Sequence, residues 1–282
     1  RTGSALAGPF RISGQVRLPL VLRSGDPGTA PTSVSSVTAT STPTRTPTPT
    51  PTRTRTPTAT ASATPTRTPT ATSTPTQEEV ADAPLAYWQL DEGSGLSAFD
   101  ATGHGNTGTL VNGPAWSTGK IHGALSFDGS DDYVRSNRSV LDTSKDYTVA
   151  AWVMLREVQA FRTAVSQEGA EISGFYLQTS WDGKFTFGAH VADSSNSAAW
   201  RVIAPWIPQA NQWYHLVGVH DAVHDQIRLF IDGTLIGTEP YSAGWNATGD
   251  TLIGRAKHGG NPVDFWPGKI DEVYLYDRVL SE

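Results

Sequence analysis

Three kinds of residue in this sequence could do chemistry: oxygen-bearing loop residues, adjacent carboxylates, and tryptophans outside strands. The first lie in Asp100–Asn106, which reads DATGHGN. Glycines and small residues let such a loop turn its carbonyls inward. Asp100 and Asn106 add side-chain oxygens, as a hard cation with about six to eight oxygen ligands requires. The competing reading is that Asp100 and Asn106 cap their own turns. Asp128, with Asp91 and Glu92, offers further carboxylates. Asp271 and Glu272 are neighbours in GKIDEV. Neighbours on a strand point to opposite faces, so one should be buried or liganded and the other exposed. His220 and His224 are four apart, but an expected hairpin turn lies between them, so the helical metal spacing does not apply. His215 reads as a sheet-surface residue that satisfies a partner. Neither a Ser–His–acid order nor a phosphate-binding glycine loop occurs.

Trp181, Trp200, Trp206, Trp245 and Trp266 fall in or beside expected loops. An exposed indole stacks on the apolar face of a sugar with little entropy loss. Trp200 and Trp206 lie in SAAWRVIAPWIPQ, and Tyr241, Trp245 and Asn246 in PYSAGWNATGD. Gathered at one rim with Asp193 and Asn196, these would form a platform for a sugar ring. The alternative is that each covers its own loop as a lid. Trp266 is expected in the core of a final hairpin.

The elements that must position these residues are short strands. DYTVAAWVMLRE sets Tyr147, Val149, Ala151, Val153 and Leu155 on one face. Asp182-Gly183 and Asp232-Gly233 each sit between alternating apolar runs, the strongest short-range hairpin signal. Another turn falls near Ala222–His224, and Asp128-Gly129 separates Phe127 from Tyr133. Strands recur at short intervals without helical periodicity, which predicts an all-β sandwich or barrel.

Three regions follow from composition. Residues 83–282 hold the tryptophans and most other aromatics, enough for one self-sufficient core. Residues 40–82 are a Thr/Pro-rich linker. Its low-complexity part, Thr40 to Gln77, is expected to be extended, about 120 Å at ~3.1 Å per residue. Such composition also marks O-glycosylated stalks. Residues 1–39 contain one strand-like run, Arg11–Arg23. It is either the tail of a preceding region or a strand for self-association through an exposed sheet edge.

Charge divides along the same line. Residues 1–82 carry eight Arg against four Asp and Glu, and residues 83–282 carry 13 Lys and Arg against 23 Asp and Glu. The globular part is therefore at −10, which argues against nucleic acid and anionic membranes as partners. No run is long enough to span a membrane. Cysteine is absent, which excludes disulfides and thiolate metal sites. The chain starts at Arg1, not Met, and reads as a fragment or processed product. Export is inferred from the linker.

Eight segments in order resemble the laminin-G-like jelly-roll family of concanavalin A-like sandwiches. They are YWQLDEGSG, DATGHGNTGTLVNGPAW, GALSFDGSDDYV, YTVAAWV, WYHLVGVHD, LFIDGTLIG, TLIG and FWPGKIDEVYLYDRVLS. The resemblance runs from about Leu85 to the C-terminus. It implies a two-sheet antiparallel jelly-roll sandwich with adjacent N- and C-terminal strands. It implies an extracellular or cell-surface setting, a polysaccharide or glycoconjugate partner and, in many members, a structural Ca²⁺. The Asp100 loop would lie near the last strand, which makes Asp271 the second carboxylate. Trp88, Trp116, Trp152 and Trp213, in matching strands or their flanks, would belong to the core. Some sandwich glucanases of this superfamily carry Glu-x-Asp-x-x-Glu on one strand. Here Lys269 stands where the nucleophile would be, so the expected function is a non-catalytic binding module. The alternatives are a subunit of a surface fibre and an accessory module of a secreted glycoside hydrolase.

Overall fold

The computed structural model describes residues 83–242 and 244–280. The Arg11–Arg23 run and the Thr/Pro stretch lie outside them. Two eight-stranded antiparallel sheets form the domain. The first runs β14 (Thr234–Pro240), β13 (Gln226–Ile231), β12 (Trp213–Asp221), β7 (Tyr147–Leu155), β18 (Pro267–Tyr276), β5 (Gly123–Asp128) and β4 (Ala115–Thr118), with β1 (Ala86–Trp88) also paired to β18. The second runs β11 (Ala199–Ile203), β10 (Phe185–His190), β9 (Ser173–Thr179), β8 (Arg162–Glu168), β15 (Thr251–Ile253), β6 (Tyr133–Arg135), β3 (Gly108–Val111) and β2 (Ser97–Ala98). A small hairpin, β16 (Ala256–His258) and β17 (Asn261–Val263), follows β15. No helix among the described residues is long and apolar enough to cross a membrane.

Period-two alternation builds the core. Tyr147, Val149, Ala151, Val153 and Leu155 of β7 enter it together with Phe175, Leu177, Phe185 and Phe187 of the facing sheet. Tyr147 meets Phe175 at 5.3 Å and Phe187 at 6.3 Å between ring centroids. Each such ring contributes about 1.5–3 kcal/mol when fully buried. Gly218 on β12 makes room for one of them, since a Cβ there would lie 2.2 Å from the Phe187 ring. The pairing of β1 with β18 sets the first and last strands side by side, as the resemblance implies.

Asp232 and Gly233 both have positive φ (50° and 76°), as a two-residue primed turn needs. Asp182-Gly183 differs. Only Gly183 has positive φ there, in a five-residue loop between Thr179 and Phe185. A Cβ on Gly183 would lie 2.4 Å from the Val158 carbonyl oxygen, so close packing under the loop selects the glycine.

The tryptophans sort differently from expectation. Trp88 and Trp266 are fully buried, while Trp116, Trp152 and Trp213 are half-buried. Trp152 is out of phase with the inward residues of β7, so alternation turns it to the other face. There Lys120 Nζ lies 4.8 Å from its ring and His215 packs at 5.1 Å.

That other face of the first sheet is partly closed by a second apolar layer. Tyr87, Ala150, Val217, Val219, Phe230, Tyr274, Tyr276 and Leu280 are buried together on it. Tyr87 stacks on Tyr274 at 4.1 Å, and Tyr274 on Tyr276 at 6.2 Å.

Candidate functional site

The Asp100 loop is satisfied from within. Asp100 Oδ1 accepts hydrogen bonds from Tyr87 N (3.2 Å), Thr102 N (3.0 Å) and Thr102 Oγ1 (2.6 Å). Its Oδ2 accepts from Asn106 N and Nδ2, both at 3.0 Å. Burial raises the Asp100 pKa, but the donors on Thr102, Asn106 and Tyr87 outweigh it and hold the carboxyl below its ordinary range. Asn106 also receives the Trp88 indole N–H on its carbonyl and donates to Leu85 O. This is the turn-capping arrangement. A cation here would have to displace five donors, so the pair does not fit one.

Asp271 is held by another segment. Its Oδ2 accepts from Lys120 N (2.8 Å) and Ile121 N (2.9 Å), and its Oδ1 is buried without a partner. Burial, with Glu272 and Asp91 nearby, pushes its pKa up to about 7. The expectation that one of Asp271 and Glu272 is exposed is corrected, because they are 0 % and 4 % exposed. A register break between Asp271 and Tyr274, with Glu272 at φ 52°, turns both carboxyls into protein. Glu272 Oε2 accepts the hydroxyls of Tyr87 and Tyr274. Three carboxylates do meet elsewhere: Asp128, Asp131 and Asp132 bring oxygens within 4.8 Å of one another. Burial and the charges of Asp128 and Asp131 raise the Asp132 pKa.

His220 is a strand residue and His224 lies in the turn that follows. His220 is buried between Tyr147 (5.1 Å) and Tyr241 (5.2 Å), while His224 Nδ1 pairs with Asp221 Oδ1 at 2.8 Å.

The aromatic platform does not assemble. Trp181 is 75 % exposed on the β9–β10 loop and makes no ring contact among the described residues. Trp206 lies over Phe185 and Tyr214 at 6.4 and 5.8 Å. Trp200 sits on edge strand β11 beside a cavity of about 280 Å³ that Asp225 and Tyr241 also line. Tyr241 is only 3 % exposed and donates its hydroxyl to His190 O at 2.7 Å. Trp245 Nε1 donates to the same carbonyl at 3.0 Å, and a Cβ on Gly169 would meet the indole at 2.5 Å. Tyr241 and Trp245 therefore clamp β10. Asn246 Oδ1 accepts from Thr143 N, and Asp193 accepts from the amides of Ala170, Glu171 and Ile172. These side chains tie loops together.

What they clamp is the wall of a groove on the outer face of the second sheet. Register places Arg201 of β11, Gly188 of β10 and Tyr176 of β9 in one row across the strands. Gln178 lies on the next row and His190 further along β10. Gly188 leaves the floor open. A Cβ there would lie 2.6 Å from Arg201 Cγ, so the arginine stem crosses the strand where a side chain would otherwise stand. Phe161 walls one side of the groove, and His258, Val263 and Asp264 of the small hairpin and its exit wall another. The groove is open to solvent on one side and its cavity is about 220 Å³.

The lining mixes apolar surface with free polar groups. The Arg201 guanidinium lies 5.6 Å from the centre of the Phe161 ring. The Gln178 carboxamide accepts from Thr163 Oγ1 at 3.0 Å, and its N–H₂ donates to no described residue. His190 Nδ1 donates to Ser197 O, which leaves Nε2 as an acceptor. Burial lowers the His190 pKa, with Arg201 and His258 adding to the effect, so the ring is neutral at pH 7. Asp264 has φ 59°, a backbone state that a non-glycine residue holds only under constraint. Burial raises its pKa against the pull of His258, Arg162 and Arg201. Tyr176 spends its hydroxyl on Ser173 N and Lys257 O and presents its ring.

Sequence reasoning missed this groove. Its residues alternate with core residues in FYLQ, FTFGAH and AWRVI, so the outward polar face was visible. The register that aligns three strands was not.

The structure resembles domain 4 of AbnA, an extracellular arabinanase of Geobacillus stearothermophilus solved with arabinotriose, at 21 % identity and a TM-score of 0.57, covering 70 % of this chain and 94 % of that one. It also resembles the binding domain of Paraclostridial Mosquitocidal Protein 1 (11 % identity, TM-score 0.56), covering 72 % of this chain and half of that one. A structure of botulinum neurotoxin type C, whose cell entry is dependent upon interaction with two ganglioside molecules, matches at 11 % identity and TM-score 0.51, covering 73 % of this chain and 50 % of that one. Comparison with curated protein sequences finds no match. Residues 128–282, more than half the chain, match the family profile described as concanavalin A-like lectin/glucanases. With two stacked antiparallel sheets to carry that match, the chain belongs to the concanavalin A-like lectin/glucanases superfamily.

Proposed function

We propose that the domain is a non-catalytic, extracellular glycan-binding module, and that its ligand occupies the groove over Gly188. The carrying observation is the cavity itself. It is smaller than the roughly 300–1,000 Å³ typical of drug-sized sites, and its size suits a single sugar ring. The Phe161 and Tyr176 rings offer apolar faces, while Gln178, His190, Arg201 and Asp264 offer polar groups to hydroxyls. The arabinotriose-bound domain and the toxin whose cell entry depends on gangliosides support a sugar as the ligand class. Among the described residues one carboxylate, Asp264, lines the cavity, whereas glycoside hydrolysis ordinarily uses a pair.

A structural Ca²⁺, which the family resemblance implies, fits Asp128, Asp131 and Asp132. Asp128 Oδ1 and Asp132 Oδ2 accept amides of their own turn, but the converging oxygens outnumber those donors, so a hard cation could take the remaining ones and pin the β5–β6 turn. Calcium should then raise the melting temperature of the wild type and leave Asp128→Asn unmoved.

The test of the groove is calorimetric titration of the full chain with a panel of plant and animal oligosaccharides. At least one should bind, and Gln178→Ala should weaken it about tenfold, while the lost hydrogen bond from Thr163 costs about 1–3 kcal/mol of stability. A panel without a binder, or a binder indifferent to Gln178, would falsify the assignment.

A further inference from the structure

We infer that the groove selects acidic sugars, and that Arg201 is the residue that grips the sugar carboxylate. This rests on the glycan-binding reading and narrows it to a ligand class.

The first observation is the missing partner of Arg201. Cations around the groove are otherwise answered. Arg162 pairs with Glu157 and donates to Phe265 O. Lys257 and Arg255 both pair with Glu168. Arg201 makes neither an ion pair nor a hydrogen bond among the described residues, yet it lines the cavity and is half-buried. Asp264, the carboxyl that shares the cavity, does not come within ion-pair distance of it. A guanidinium shielded from water gains most from an anion that fits its fork, and a carboxylate accepts two parallel N–H bonds.

The second observation is that the guanidinium is already held. The Arg201 stem crosses the open position over Gly188, and the head rests on the face of Phe161. These two contacts narrow the freedom of the side chain before any ligand arrives, which lowers the ordering cost of binding. Tyr176 stands on the same cross-strand row, so a sugar lying over Gly188 would meet an aromatic ring at one end and the guanidinium at the other.

The third is the charge around the site. The domain carries −10, which repels anions at long range. An acidic sugar would be captured here by local geometry and not by general attraction. A neutral sugar would leave the arginine with only the longer-range pull of Asp264 and no ion pair.

The test uses the full chain and matched pairs of probes in calorimetric titration. Trigalacturonate is compared with its methyl ester, 3′-sialyllactose with lactose, and a sulfated lactose serves as a third arm. At least one acid should bind about tenfold or more tightly than its neutral partner. Arg201→Gln should weaken the acid far more than its neutral partner and so erase that difference. Arg201→Lys, which keeps the charge and loses the fork, should keep part of it. Equal affinity for acid and neutral partner, still weakened by Gln178→Ala, overturns acid selection and leaves the groove standing. Preference for the sulfated sugar alone overturns the carboxylate assignment. Loss of neutral and acidic binding alike in both Arg201 variants makes the residue a structural support and overturns its role as carboxylate grip. Binding indifferent to Gln178 and Arg201 overturns both readings.

Discussion

The outer faces of the two sheets have been put to opposite uses. On the first sheet, Tyr87, Tyr274 and Tyr276 stack over β-branched and small residues, and Leu280 closes the end of the layer. Two acidic groups are sealed beneath or beside it, and Glu272 is satisfied by tyrosine hydroxyls. On the second sheet, Gly188 pairs with Tyr176 and Arg201 in one row, and Phe161 and Tyr176 line the cavity beside it. The same alternation supplies outward residues in both cases. Large outward aromatics on adjacent strands fuse into a layer that adds stability. A glycine between them leaves room for the Arg201 stem to cross, and the cavity opens beside it.

The largest effect should come from breaking the closed face. Tyr274→Ala removes the middle ring of the stack and one of the donors to Glu272. It should cost about 3–5 kcal/mol in chemical denaturation, and leave glycan affinity at wild-type level. An affinity that fell in step would show that the two faces are not independent.

Filling the hollow is the complementary change. Gly188→Val puts branched carbon where Arg201 Cγ and the Trp200 carbonyl already lie. Binding in titration should drop by about a hundredfold or more, with a stability loss of about 1–3 kcal/mol. Retained binding would move the site away from this face.

A third effect is read from pH. Asp271 is buried with a pKa near 7, above its ordinary value. The folded state therefore holds a proton that the unfolded state releases. The resulting stability is full below the unfolded pKa and fades as pH rises through about 7. Denaturation midpoints should fall from pH 5.5 to pH 8, and Asp271→Asn should flatten that slope by on the order of one to a few kcal/mol. An unchanged slope would place the titration elsewhere.

The smallest effect should be at Trp181. Its ring is 75 % exposed and stacks on no neighbour. Trp181→Ser should alter stability by less than about 0.5 kcal/mol and leave groove binding intact. A lost affinity would restore the rim platform as the binding surface.

Much of this was legible in the residues. Alternation in DYTVAAWVML named the inward face of β7, and Asp232-Gly233 named a turn that forms with both φ positive. Asp100 was singled out as a candidate cation ligand with turn capping as the competing reading, and its five donors fit the capping reading. Trp152 could have been placed by the same alternation that placed Val153. The groove was illegible for a different reason. Arg201, Gly188 and Tyr176 are brought into one row by the register of β9, β10 and β11, and pairing register is a long-range property that no local pattern carries. Tyr241 and Trp245 looked like binding residues because they sit in a polar loop. Their partner, the His190 carbonyl, is about fifty residues away in sequence.

The pairing of Ala86 with Leu275 and of Trp88 with Val273 has a mechanical consequence. The chain enters at Ala83 and returns past Arg278, whose guanidinium donates to the Ala83 carbonyl. Tension applied through those two points would pull on the same end of an antiparallel pair. Its hydrogen bonds would then open one after another like a zip, in place of sharing the load in shear. A molecule stretched between its ends should yield at low force, and β1 should be the first strand to peel.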